Sequence, residues 1–193
     1  MDRRKFLAIA GGGIILAAGT AAAGFTLTRT PHKALKPWQD AGSLYTEPRK
    51  KALSYAILAP NPHNRQPWLV DLSKPGQVIL YADTNRLLPH TDPFNRQITI
   101  GLGCFLELLH MAAASDGYRV GLDLFPEGES AEALDERPVA VARFIKDDAV
   151  KRDPLWPHVL ERRSLKEAYD ITRIVSGDTL ARLEAAAVSG SIA

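Results

Sequence analysis

Two short stretches hold the residues best suited to grip a ligand. Residues 59–68 read Ala-Pro-Asn-Pro-His-Asn-Arg-Gln-Pro-Trp, and residues 161–170 read Glu-Arg-Arg-Ser-Leu-Lys-Glu-Ala-Tyr-Asp. In the first, Pro60 and Pro62 hold the backbone outside regular structure. The Asn61 and Asn64 amides, each donor and acceptor at once, are then presented in fixed directions. In the second, Arg162, Arg163, Ser164 and Lys166 bring the donors that a phosphate requires, the arginines with paired N–H groups. A charge-assisted hydrogen bond of this kind contributes about 1.5–3 kcal/mol, so three or four would anchor a phosphorylated cofactor. Each stretch also has a plainer reading. The first is a helix stop with Trp68 buried as a strand begins, and the second is a solvated basic helix end that complements the helix dipole.

The first stretch resembles the Ala-Pro-Ser-x-x-Asn-x-Gln-Pro-Trp motif of the FMN-dependent nitroreductase family, with Asn61 where Ser is usual. The second resembles the Arg-Arg/His-Ser-x-Lys/Arg-x-Phe/Tyr-Asp motif with which that family holds the FMN phosphate. The resemblance covers roughly residues 45–193. It implies an α+β fold, an antiparallel-rich sheet flanked by helices. It also implies that Pro60, Asn61, Pro62 and Asn64 meet the flavin ring while Arg162, Arg163, Ser164 and Lys166 hold the phosphate. The activity so implied is redox transfer from reduced flavin to a nitro compound, quinone or similar small acceptor, with NAD(P)H as the candidate electron donor and no side-chain nucleophile.

The motif order departs from that family, whose Arg-Ser motif stands about one helix before the loop. Here it follows about a hundred residues after it, and the stretch just before the loop, Thr46-Glu47-Pro48-Arg49-Lys50-Lys51, is basic but no match. The order implies one chain carrying two nitroreductase-like halves, as in the Acg-like tandem branch, with one flavin between them. Residues 45–150 are then the first half and residues 151–193 the opening of the second, in which Asp178 to Ala187 reads as a helix. On this reading the chain is the N-terminal portion of a longer protein. Its first half would expose an apolar helix face that a homodimer partner would cover. Two alternatives stand beside the enzyme: an FMN-binding or sequestering protein without turnover, and an inactive truncated remnant.

Residues 1–23 carry a separate signal. Asp2-Arg3-Arg4-Lys5-Phe6-Leu7 fits the twin-arginine (Tat) pattern, and an apolar Gly- and Ala-rich run to Gly24 follows it. Ala21-Ala22-Ala23 offers a cleavage site after Ala23; uncleaved, the segment would be a membrane anchor. Either outcome predicts a periplasmic or otherwise exported protein that uses the Tat machinery, which suits a domain that takes up its cofactor before export. Residues 24–44 read as a linker or arm.

Charge excludes a polyanion-binding role. The chain has 24 Lys plus Arg against 22 Asp plus Glu, and removal of residues 1–23 leaves 21 of each. No basic surplus remains for nucleic acid. Cys104 is the single cysteine and reads as a core position, and the five histidines lack metal-ligand spacing, so no metal is expected. His63 is the exception of interest because it lies inside the candidate flavin loop.

The elements that must position these residues follow from periodicity and punctuation. A helix starts near Thr46, capped by its hydroxyl, and ends before Pro60. Trp68–Leu72 and Val78–Ala82 form a hairpin across Ser73-Lys74-Pro75-Gly76. Asp92 as N-cap and Pro93 as first residue open the longest helix, which Gly117 ends. Its apolar stripe is Ile98, Leu102, Phe105, Leu106, Leu109 and Ala113. Gly101 and Gly103 inside it cost about 1 kcal/mol each against Ala, which predicts a close approach by another helix. Tyr118–Phe125 and Val139–Ile145 are strands separated by the solvated acidic loop Glu127–Glu136. Asp153-Pro154 then opens a helix ending at Arg162-Arg163 with Leu155, Val159 and Leu160 buried.

Overall fold

The computed structural model describes residues 2–130 and 132–189. The chain divides after Asp40 into two compact units. The first contains α1 (Arg3–Thr28), the longest helix, and α2 (His32–Asp40). Within the expected linker or arm, residues 24–44, α1 runs on through Gly24 to Thr28 and a second helix forms in spite of Pro37. The Ala21-Ala22-Ala23 stretch lies within α1.

The second unit is α+β. After α3 (Pro48–Ala56) come β1 (Trp68–Asp71), β2 (Gln77–Ala82), α4 (Arg96–Ser115), β3 (Tyr118–Leu124), β4 (Pro138–Lys146) and α5 (Gly177–Ser189). The four strands form one antiparallel sheet in the order β1-β2-β4-β3. The hairpin, both later strands and the last helix match the expectation, as does the end of α4 at Gly117, whose φ of +77° needs a glycine. Every residue of the expected α4 stripe is buried, with Ile98, Leu102, Phe105 and Leu109 fully so. α4 is long and apolar enough to cross a membrane, but most of it is covered, as in the core helix of a folded domain. It packs against α3 and β3.

Three expectations fail for identifiable reasons. Glu47, not Thr46, caps α3: its carboxylate accepts from the Arg49 and Lys50 amides and pairs with Arg49 Nε at 2.8 Å, while Pro48 takes the first helical position. α4 begins at Arg96 rather than at Pro93, behind Asn95 in a left-handed conformation. Asp92 still does a cap's work from one turn upstream, since Oδ2 accepts from the Ile98 amide at 3.0 Å. The helix expected from Asp153 is a single 3-10 turn, Trp156–His158. Pro157 removes a donor there and crowds the preceding turn, which disfavours an α-helix through it. Val159 is buried as expected, but Leu155 is 66% and Leu160 38% exposed, and Trp156 instead packs against Tyr55 in a tilted arrangement with ring centroids 4.8 Å apart.

The basic stretch at residues 46–51 is used for structure. Arg49, 14% exposed, donates from Nη1 to the carbonyls of Leu72, Lys74 and Gln77 and so closes the β1–β2 turn. Lys51 pairs with Asp116 at the far end of α4. Burial raises the Glu47 carboxyl pKa, but the Arg49 side chain and the two backbone amides outweigh that effect and hold it below the ordinary value of 4.5.

Glu47 is therefore ionised when it caps, and its contribution is full above the ordinary glutamate range and is lost as pH falls through the lowered value. Glu47→Ala should cost about 1 kcal/mol at neutral pH by urea denaturation. Glu47→Gln should flatten the loss of stability below pH 4.5; an acid limb identical to the parent's would contradict the assignment.

Candidate functional site

The segment between α3 and β1 is shaped by its own side chains. Asn61 Nδ2 donates to the Ala59 carbonyl at 3.1 Å and Oδ1 accepts from the Gln66 amide at 2.7 Å. This ties both ends of a six-residue loop across a 3-10 turn at Pro62–Asn64. Within it His63, Asn64 and Gln66 have φ of 51°, 50° and 48°. Asn tolerates that region, whereas for His and Gln it costs roughly 1–2 kcal/mol each.

Such strain persists only where surrounding contacts over-determine the backbone. Arg65 donates to the carbonyls of Asn85 and Arg86, and Arg86 donates back to those of Arg65 and Gln66. Arg86 is held in turn by Asp83 at 3.0 Å. Pro67 is fully buried and its carbonyl accepts from the Asp83 amide. Trp68 packs on Phe105 of α4 at 5.1 Å between centroids.

Below the loop, α4 presents Gly101. A Cβ there would lie 3.3 Å from Asn61 Cβ and Pro62 Cδ, so the close approach expected at the α4 glycines comes from this loop and not from a helix. Gly103 faces open space. The side chains of His63, Asn64 and Gln66 are exposed, and Pro60, Asn61 and Pro62 are half-buried.

The second stretch reaches the same place. Arg162 Nη2 donates to the Leu58 carbonyl at 3.0 Å, one residue before the loop begins. Residues 104 apart in sequence thus meet within one chain. Arg162 is half-buried, and burial, then the neighbouring Arg163, lowers its guanidinium pKa. Cys104 of α4 lies close by and is half-buried rather than in the core; burial raises its thiol pKa, with Arg162 opposing. Arg163 donates to the Leu160 and Arg162 carbonyls, and Arg163, Ser164 and Lys166 are exposed on a segment without regular structure. Among the described residues no cluster of metal-ligating side chains occurs.

Sequence reasoning located both stretches but not what joins them. The Leu58 carbonyl, the Arg65–Arg86 clamp and Gly101 carry the arrangement. Only Gly101, costly inside a helix, left a signal in the sequence.

No protein-family model matches the chain. It is 33% identical over 102 residues to the Mycobacterium tuberculosis protein named "Putative NAD(P)H nitroreductase acg", covering 53% of this chain and 30% of that protein. It is 27% identical over 143 residues to "Putative NAD(P)H nitroreductase Rv3131" of the same organism, covering 74% of this chain and 40% of that protein. A third relative there, "Uncharacterized protein Rv3127", is 31% identical over 88 residues, covering 44% of this chain and 26% of that protein. The matched region spans less than half the length of each relative. These similarities support the nitroreductase family, and the α+β architecture fits it.

Asn61→Ala removes both hydrogen bonds that close the loop and should cost about 1–2 kcal/mol, with faster exchange of the Gln66 amide. Gly101→Leu drives a side chain into Asn61 and Pro62 and should cost about 1–3 kcal/mol, whereas Gly103→Ala should stabilise by about 1 kcal/mol. Equal effects at the two glycines in urea denaturation would contradict the packing described.

Proposed function

We propose that this chain supplies the ring-facing loop and the phosphate-binding segment of an exported, FMN-dependent oxidoreductase of nitroreductase type. The observation that carries the reading is the contact of Arg162 with the Leu58 carbonyl, which sets an exposed basic segment beside a strained, exposed loop. The names of the similar mycobacterial proteins support NAD(P)H as the donor class.

The donor set fits FMN, with the roles divided more sharply than by motif alone. Arg162 positions the loop, and Arg163, Ser164 and Lys166 offer exposed donors to a phosphate. Asn61 spends its amide on the loop itself, so the ring contacts fall to Asn64 and to the backbone of Pro60, Asn61 and Pro62. When bound, FMN supplies the hydride or electron transfer to a nitro compound, quinone or similar acceptor. The protein binds and orients, a task that a rigid, over-determined loop performs without reorganising. Leu165, Tyr169, Ile171 and Ile174 beside the donors are 70–93% exposed, a surface that a homodimer would cover.

FMN titrated into the chain should quench its own fluorescence in a saturable way. The paired variant Arg163→Ala/Lys166→Ala should weaken FMN at least about tenfold while leaving riboflavin, which lacks the phosphate, unaffected. Equal affinity of parent and variant for FMN would sink the phosphate assignment. Reduction of the bound flavin by NAD(P)H separates an enzyme from a protein that only holds FMN.

A further inference from the structure

We propose that the N-terminal unit stays with the protein as a membrane anchor, with α1 crossing the bilayer and the basic face of α2 binding anionic phospholipid headgroups. This rests on the export reading of residues 1–23 and is independent of the flavin assignment. No charged residue stands between Lys5 and Arg29. At 1.5 Å per residue that run rises about 35 Å, enough for a hydrocarbon core of about 30 Å. Its apolar side chains are exposed, Ile14, Ile15 and Leu16 by 70–75%.

The polar groups of α1 are satisfied from within, as lipid demands. The hydroxyls of Thr20, Thr26 and Thr28 donate to the carbonyls of Leu16, Ala22 and Gly24 at 2.7–3.0 Å. A processing protease takes its substrate extended, yet Ala21-Ala22-Ala23 lies inside a helix that continues to Thr28 and is closed by the Arg29 amide on the Phe25 carbonyl. Retention follows.

Only residues 29–31 separate α1 from α2, and they span about 10 Å at most, so α2 begins in the headgroup zone. Helical spacing puts Ala34, Leu35 and Trp38 on one side of α2 and His32, Lys33, Lys36 and Asp40 on the other. Lys36 is 71% exposed, and its pairing with Asp40 at 3.8 Å is too loose and wet to hold it. Trp38 and Asp40 are half-buried, which assigns the lipid contact to Arg29, Lys33 and Lys36. Each cation near an anionic surface strengthens association roughly fivefold.

The test expresses the full chain in a Tat-competent bacterium, extracts membranes at alkaline pH and weighs the protein. The chain is then reconstituted in phosphatidylcholine vesicles carrying spin-labelled phosphatidylglycerol or phosphatidylcholine. The expected result is intact mass in the extracted membrane and several-fold preferential immobilisation of phosphatidylglycerol, falling towards parity in Lys33→Gln/Lys36→Gln. A soluble chain beginning at Gly24 would overturn the anchor and the proposal with it. An intact, membrane-embedded chain with no phosphatidylglycerol preference would overturn the headgroup site while leaving the span standing.

Discussion

The candidate site depends on how the backbone leaves α3. The Leu58 carbonyl stands two residues beyond the end of α3 at Ala56, where no helical or strand partner is in place for it. The Arg162 guanidinium takes it at 3.0 Å. One interaction thereby settles two matters, the trajectory of the chain into the strained loop and the docking of the segment that carries the exposed donors.

From that point the other contacts fall into an order of support. Gly101 lets Asn61 and Pro62 sit against α4, Asn61 closes the loop over itself, and the Arg65–Arg86 exchange ties its far side to the turn after β2. α4 can serve as the floor because Phe105 and Leu109, one and two turns on from Gly101 along the same side of the helix, are fully buried in the core. Its start is fixed by Asp92 and Asn95, both buried, and Asn95 also accepts from the Leu134 amide. His63 and Gln66 are held left-handed at a cost, as Phe125 is elsewhere in the fold, and together with Asn64 they expose their side chains for contact.

Periodicity and turn chemistry made most elements legible: the hairpin, the α4 stripe, the stop at Gly117 and the last helix. What escaped was decided by competition between neighbours. Thr46 and Glu47 are both able to cap α3, and Glu47 wins because Pro48 fits the first helical position and Arg49 adds a charge partner. Pro93 looks like a helix start, but Asp92 reaches over the following turn and caps from a distance. Pro157 outweighs the apolar spacing of Leu155, Val159 and Leu160. For the site, the motifs were visible as strings, whereas their meeting through a backbone carbonyl was not, because no residue type advertises the contact made by the carbonyl at position 58.

The proposed FMN site requires the loop and the basic segment to act together. Amide hydrogen exchange of the chain with and without FMN tests this most directly. Joint slowing of exchange in residues 61–66 and 162–166 on addition of FMN is the predicted result. Protection of one segment without the other, or of neither, would contradict it.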